Sequence, residues 1–182
     1  MVKETTVKVN YIYKGRILNL RNDDILLPDG RPAMREIVEH SGGAAILAID
    51  ENNMVYLTTQ YRYPYKGELT ELPAGKLDKG EDPFNCARRE LREETGLVAD
   101  SIEFLGQLYP SPGYCEEIIY IFLAKGLHKG EESPDDDEFL VTEKVPFNKL
   151  LQMVMSNEIK DAKTIFATLF YSQKYNKDAK QI

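Results

Sequence analysis

Cysteine, histidine and tryptophan are scarce in this 182-residue sequence. It contains two cysteines, two histidines and no tryptophan. Two cysteines that are not spaced as CxxC are too few for a disulfide framework, and we predict that Cys86 and Cys115 are buried thiols. His40 and His128 have no partner at the spacing of a metal site or a catalytic triad. The sequence therefore gives no support to a Ser-His-Asp or Cys-His hydrolase.

Long apolar stretches are also missing. No segment approaches the roughly 20 apolar residues that a membrane-spanning helix needs. The N-terminal segment MVKETTVKV lacks the basic flank and apolar run of a secretory signal. We therefore expect a cytoplasmic protein without a membrane partner.

Basic residues are outnumbered by acidic ones. The chain has 23 Lys and Arg against 30 Asp and Glu, which gives a net charge of -7. Because nucleic-acid backbones are bound by clustered Lys and Arg, nucleic acid is not an expected partner. A small phosphorylated substrate is still compatible with an acidic protein when divalent cations lie between the two sets of negative charge.

The first forty residues have the pattern of a small antiparallel β-sheet. Strands are predicted over 5–13, 16–27 and 31–40, and a PDG turn separates the last two. We expect residues 1–40 to form an N-terminal strand unit and residues 41–182 to form a larger domain.

The larger domain is predicted to contain both strands and helices. The apolar stretch GGAAILAID predicts a strand, with NNMVYLTTQYR as its hairpin partner. Further strands are predicted over 101–109, over 117–125 and at VTEKVPF. Two amphipathic helices are predicted at LLQMVMSNEI and DAKTIFATLFYSQKY.

Another helix carries a concentrated group of acidic residues. It is predicted to begin with Asp82 as its N-cap and to end at Gly96. Glu90, Glu93 and Glu94 then project from neighbouring positions on one side, where like charges repel one another. They could form a surface face that the adjacent arginines neutralise, or they could converge on a cation.

The spacing around this helix matches a known signature. It consists of Gly75, five residues, Glu81, seven residues, REL, one residue, EE, one residue and GL. Every specified position of the 23-residue stretch GKLDKGEDPFNCARRELREETGL agrees with the signature box of one family. The chain therefore resembles the Nudix hydrolases.

The resemblance implies a fold and a metal site. The implied fold is the α/β/α sandwich of the family with a mixed sheet, to which the small N-terminal antiparallel sheet is added. In the family, the residues that match Glu90 and Glu94 are metal ligands, the residue that matches Glu93 contributes to the site, and the backbone carbonyl at the Ala74 position often joins them. Oxygen ligands suit hard divalent cations, so Mg²⁺ is the expected cofactor, with Mn²⁺ as the alternative.

Other box positions are expected to support this site. Arg89 is expected to orient a box carboxylate through a bidentate pair, and Glu81 belongs to the same supporting group. Gly75 and Gly96 permit the turns at the two ends of the box.

Residues outside the box indicate the substrate. Pro112, in SPG, lies fifteen positions after the box, which resembles the subgroup that hydrolyses ADP-ribose and related nucleotide sugars. Arg35 and Arg62 match positions where this subgroup places arginines near the ligand. Glu117 resembles a substrate-contacting acid, with Glu116 as the alternative register. Because the N-terminal sheet commonly exchanges between subunits in this subgroup, we predict a homodimer with N-terminal strand exchange.

The catalytic base has three candidates. By composition alone, the acidic stretch DDDEF is a solvated loop. In ADP-ribose hydrolases, a glutamate on the corresponding loop closes over the metals, and a closing loop excludes bulk water. Glu138 is therefore the first candidate and Asp136 the second, while Glu93 takes this role in other branches of the family.

The resemblance thus implies Mg²⁺-dependent hydrolysis of the pyrophosphate bond of ADP-ribose to AMP and ribose 5-phosphate. The box does not specify the second group of the substrate, so a GDP- or UDP-hexose is the alternative. A catalytically silent ligand-sensing protein is a further alternative. Such proteins usually lose box glutamates, whereas all four are present here.

Overall fold

The N-terminal residues form a four-stranded antiparallel sheet in the computed structural model of the chain, which describes residues 2–130 and 140–175. Strand β3 is central, with β1 and β2 along one edge and β4 along the other. The strands are β1 (Thr5–Lys8), β2 (Tyr11–Lys14), β3 (Leu18–Leu26) and β4 (Pro32–His40).

The prediction of one strand over residues 5–13 is wrong, because the chain breaks between β1 and β2. The side-chain amide of Asn10 donates hydrogen bonds to the Asn22 carbonyl and to the Asp24 carboxylate, both at 3.1 Å. Asn10 thus contacts β3 at the break, and two short strands, β1 and β2, lie along β3 on either side of it.

The chain divides into two compact units. One contains the described residues up to Gly42 together with Tyr109–Ile118, and the other contains Gly43–Leu108 and the described residues from Ile119 onward. In the first unit, Val38 of β4 forms an isolated parallel bridge with Cys115. Cys115 is partly exposed there, so the prediction that it is a buried thiol is wrong, whereas Cys86 in the second unit is fully buried.

The second unit contains two sheets and three helices. The four-stranded mixed sheet has the order β8-β5-β10-β9, in which only the β5–β10 pair is parallel, and the three-stranded antiparallel sheet has the order β11-β6-β7. The strands are β5 (Gly43–Ala48), β6 (Met54–Arg62), β7 (Gly67–Glu71), β8 (Ala74–Lys76), β9 (Leu97–Leu108), β10 (Ile119–Lys129) and β11 (Leu140–Pro146). The helices are α1 (Pro83–Thr95), α2 (Phe147–Met155) and α3 (Ala162–Lys174).

The predicted hairpin between β5 and β6 is wrong. A single bridge joins Ile49 to Val55, after which the two strands enter different sheets. All six residues of β5 are buried, so this strand occupies the interior of a sheet that is covered on both faces. The strand that pairs with β5 along its length is the parallel strand β10, and not β6.

Alternate residues of β5 pack into two separate cores. Ala45 and Leu47 belong to a core shared with α2 and α3, whereas Ala44 and Ile46 belong to a core shared with α1. Because successive strand residues point to opposite faces, the mixed sheet lies between α1 on one side and α2 and α3 on the other. The predicted α/β/α sandwich is confirmed. No helix in the described ranges is long and apolar enough to cross a membrane.

Candidate active site

Helix α1 begins and ends as the sequence predicts. The Asp82 carboxylate accepts hydrogen bonds from the backbone N–H groups of Phe84 and Asn85, and Pro83 occupies the first turn. Gly96 ends the helix with a φ of 68°, a left-handed conformation that glycine adopts without strain. These local signals fix which residues of α1 face the sheet.

Two of the four box glutamates are buried. Glu90 and Glu94 are 6% and 5% exposed, on the same helix as the core residues Ala87 and Leu91. Burial of a carboxylate is costly unless charge or hydrogen bonds compensate for the lost water. The site must therefore contain groups that offset these charges.

Arg89 provides part of this compensation. Its Nε and Nη2 donate to the two carboxylate oxygens of Glu81, each at 3.0 Å, as a bidentate pair. Its Nη1 donates to Glu90 at 2.6 Å and to Glu93 at 2.9 Å. One guanidinium thus contacts three of the four box glutamates.

The charges around Arg89 shift their neighbours' pKa values. The hydrogen bonds and charges of Glu81, Glu93 and Glu90 raise the pKa of Arg89, so the guanidinium stays protonated. The hydrogen bond from Arg89 in turn lowers the pKa of Glu81. Four carboxylates and one guanidinium carry a formal charge of -3, so Arg89 alone does not neutralise this group.

The backbone before α1 lies directly against the buried carboxylates. The N–H of Ala74 donates to Glu94 Oε2 at 3.1 Å. A Cβ atom on Gly75 would lie 1.9 Å from Glu90 Oε1, a distance that no real contact allows. Gly75 is therefore needed because the Glu90 carboxylate occupies the space of a side chain.

The donor chemistry of this group fits a hard divalent cation. The carboxylate oxygens of Glu90 and Glu94 on α1 lie against the backbone of β8, and oxygen ligands are those that such a cation prefers. Across residues 2–130 and 140–175, however, no three His, Cys, Asp or Glu side chains already surround one point where a metal ion could lie.

Arg62, one of the predicted substrate contacts, is paired with a buried acid. Its Nε and Nη2 donate to the two oxygens of Glu71 at 2.7 and 2.9 Å. That hydrogen bond raises the pKa of Arg62, and the charge of Glu94 raises it further. Arg62 therefore lies within electrostatic reach of the glutamate helix, but two of its three nitrogens are committed to Glu71.

The remaining predicted substrate contacts lie in the first compact unit, which contains Tyr109–Ile118 as well as the N-terminal strands. Arg35 pairs with Glu4 on the surface. The Glu117 carboxylate lies 3.5 Å from Nδ1 of His40. Pro112 is exposed in a turn. The register alternative Glu116 pairs instead with Arg21 at 2.7 Å. Their roles toward a substrate stay predictions.

Two of the three candidate bases, Glu138 and Asp136, lie outside the described residues. The third, Glu93, lies on α1 with a side chain that is 14% exposed and bonded to Arg89. All three stay predictions.

The comparison with protein-family models decides the family. The NUDIX domain model matches residues 39–167. The chain belongs to the Nudix family. A second model, the nucleoside diphosphate sugar hydrolase N-terminal domain, matches residues 4–38. The two matches together span both the glutamate helix and the N-terminal sheet, and enzymes of this family generally use a divalent metal ion.

Several curated proteins are similar to this chain over most of their length. The chain is 41% identical over 172 residues to the methanol dehydrogenase activator of Bacillus methanolicus, covering 93% of each protein. It is 38% identical over 175 residues to the ADP-ribose pyrophosphatase of Bacillus subtilis (strain 168), covering 95% of each. It is 38% identical over 151 residues to the GDP-mannose pyrophosphatase of Yersinia enterocolitica, covering 77% of this chain and 78% of that protein.

A solved structure supports the fold. The crystal structure of an ADP compounds hydrolase superposes with a TM-score of 0.81 and covers 94% of this chain and 93% of its own. The two sequences are 21% identical, so this likeness concerns the fold alone.

Sequence reasoning did not assign a role to a buried charged cluster beside the Nudix box. Glu71 and Lys163 are 2% and 8% exposed and form an ion pair, and Lys163 also contacts Asp161 at 2.8 Å. Glu71 lies in the segment ELPAG and Lys163 in the segment DAKT, and neither segment by itself indicates that the two side chains pair. Only the fold shows that residues 92 positions apart meet.

We expect that Gly75→Ala displaces the Glu90 carboxylate, because the added methyl group occupies the same space. The value of kcat/KM for nucleotide-sugar hydrolysis should fall at least about tenfold, a loss of about 1.4 kcal/mol of transition-state stabilisation. Gly67→Ala is the matched control, since its Cβ would meet only the Tyr65 carbonyl at 3.8 Å. Equal kcat/KM values for folded Gly75→Ala and Gly67→Ala proteins would contradict this account.

Proposed function

We propose that this Nudix protein hydrolyses the pyrophosphate bond of ADP-ribose and that Mg²⁺ is its physiological metal. In the reaction, a water oxygen forms a bond to one phosphorus while the bond from that phosphorus to the bridging oxygen breaks. The products are AMP and ribose 5-phosphate. The observation that carries the proposal is the complete set of four box glutamates, two of them buried and three of them bonded to Arg89.

The box residues are assigned distinct roles. Glu90, Glu94 and the Ala74 carbonyl would hold the metal, and Glu93 would contribute to the same site. A bound divalent cation supplies charge that neutralises the pyrophosphate and activates water. Arg89 holds three carboxylates in place, with Glu81 as its bidentate partner. Glu138 is the preferred base, followed by Asp136 and Glu93.

The substrate assignment is supported by similarity across almost the whole chain. The relative named as an ADP-ribose pyrophosphatase covers 95% of the sequence, whereas the relative named as a GDP-mannose pyrophosphatase covers 77%. A nucleoside diphosphate hexose is therefore the second candidate. Arg35, Arg62, Pro112 and Glu117 are the proposed substrate contacts. For Arg62 the pairing with Glu71 uses two of the five N–H donors and leaves those of Nη1 and one of Nη2 to approach a phosphate oxygen.

A homodimer with exchanged N-terminal strands is part of the proposal. Every residue of β1 and β2 is exposed, so these strands gain little from burial within one chain. The exposed apolar side chains of the N-terminal unit include Val7, Ile12 and Met34, at 62%, 61% and 58%. An apolar surface of this kind suits an obligate interface with a second copy. A cytoplasmic location stays a prediction.

We expect Glu94→Gln to lower kcat for ADP-ribose hydrolysis by more than about 100-fold, or about 2.7 kcal/mol, because an amide keeps the size of the side chain but removes its charge. The assay compares ADP-ribose, GDP-mannose and UDP-glucose at saturating Mg²⁺, and circular dichroism checks the fold. Glu158→Gln, a change at an exposed position three residues after the end of α2, is the control and should retain activity. Faster turnover of a hexose conjugate would refute the choice of ADP-ribose. Retained turnover in folded Glu94→Gln would refute the metal site.

We expect light scattering coupled to size-exclusion chromatography to give a mass about twice the 20.8 kDa of one chain. Ile12→Glu should shift the protein toward the monomer, because it places a charge in the proposed apolar interface. Met155→Glu alters a side chain that is 67% exposed in the other unit, and it should stay dimeric. A monomeric wild-type protein would rule out the proposed dimer.

A further inference from the structure

The start of α3 is joined to the end of β7 by buried polar side chains. Lys163 forms an ion pair with Glu71, and the Thr164 hydroxyl accepts a hydrogen bond from the backbone N–H of Leu72 at 2.9 Å. Asp161 caps the helix at the N–H of Thr164 and also contacts Lys163. Thr164 is completely buried, so its hydrogen bond from Leu72 is not shared with bulk water.

The two residues that follow Leu72 are also fixed. The carbonyl of Pro73 accepts a hydrogen bond from the N–H of Ile46 in the central strand β5, at 2.9 Å. The N–H of Ala74 donates to Glu94. Glu71 and Leu72 are thus bonded to the start of α3, Pro73 to β5 and Ala74 to α1. The last of these bonds reaches the buried Glu94 carboxylate of the Nudix box.

Stability alone gives a weak reason for this arrangement. A buried ion pair often contributes less to stability than apolar side chains of the same volume would. Burial by itself would raise the pKa of Glu71, yet the hydrogen bonds from Arg62 and the charge of Lys163 hold it below its usual value. Glu71 is therefore kept ionised between two cations, which fixes the end of β7 in one position.

We propose that Lys163 and Thr164 are positioning residues for the metal site, because they hold the segment Glu71–Ala74 so that Ala74 stays against Glu94. This inference rests on the proposed function, since it assumes that Ala74 and Glu94 bind the metal. It assigns a role to the DAKT segment at the start of α3, whose side chains contact Glu71 and Leu72.

Thr164→Val tests the inference, with Thr168→Val as the matched control. Both threonines are completely buried on α3, one helical turn apart. The Thr168 hydroxyl has no hydrogen-bond partner within the described part of the chain. Each change keeps the side-chain volume, but only Thr164→Val removes the acceptor for Leu72. The readout is Mn²⁺ binding to the full chain without substrate, measured by the electron paramagnetic resonance of free Mn²⁺ well below each unfolding midpoint.

We expect the Mn²⁺ dissociation constant to rise about tenfold in Thr164→Val, the size typical of residues that support metal ligands, and to stay within about twofold of wild type in Thr168→Val. The Mn²⁺ concentration for half-maximal ADP-ribose hydrolysis should rise by the same factor, with kcat recovering at high Mn²⁺. If Thr164→Val lowers the unfolding midpoint but binds Mn²⁺ as tightly as wild type, the residue is only structural and the inference is overturned.

Two further variants keep the test decisive if Thr164→Val does not fold. Lys163→Met removes the charge that faces Glu71, whereas Lys163→Arg keeps it. If Lys163→Met binds Mn²⁺ more weakly than wild type and Lys163→Arg binds it as tightly as wild type, the inference is supported. If the two variants have the same Mn²⁺ dissociation constant, the inference is overturned. A wild-type protein that binds no Mn²⁺ would refute the proposed metal site itself. If the wild-type protein binds Mn²⁺ and Thr164→Val binds it equally tightly, only the positioning role is refuted.

Discussion

The charge balance between Arg89 and the four box glutamates is the constraint on which the site depends. Two like charges about 4 Å apart repel by about 4 kcal/mol in the effective dielectric of a protein surface. Arg89 contacts three of the glutamates directly and leaves a formal charge of -3 on the group. A divalent cation would supply most of the missing positive charge, so the acids that disfavour the empty site also provide its affinity for metal.

The fold brings this acidic group to one place through the central strand β5. Because β5 is buried on both faces, it places α1 against one side of the sheet and α2 and α3 against the other. The short strand β8 pairs with β5 and carries Gly75 to the Glu90 carboxylate. The end of β7, which leads into β8, is tied to α3 through Glu71 and Lys163. Packing on both faces of the sheet therefore converges on the backbone beside the glutamates.

Local sequence signals predicted much of this, and long-range contacts account for the rest. Asp82 and Gly96 act within one helical turn, so the limits of α1 and its acidic face could be read from the sequence. The partner of β5 could not, because β10 follows it by some 70 residues and competes with the adjacent β6. The pairing of Glu71 with both Arg62 and Lys163 depends likewise on the closed fold. The sequence could predict Arg62 as a ligand contact, but it could not predict that two of the Arg62 nitrogens donate to Glu71.

Thermal unfolding as a function of Mg²⁺ concentration, at constant ionic strength, tests the central claim most directly. A ligand that binds only the folded chain stabilises it by about 2.7 kcal/mol at 100 times its dissociation constant. Mg²⁺ should raise the unfolding midpoint of the wild-type protein, and it should raise the midpoint of Glu94→Gln much less. A midpoint that does not respond to Mg²⁺, or an equal rise in both proteins, would contradict the central claim.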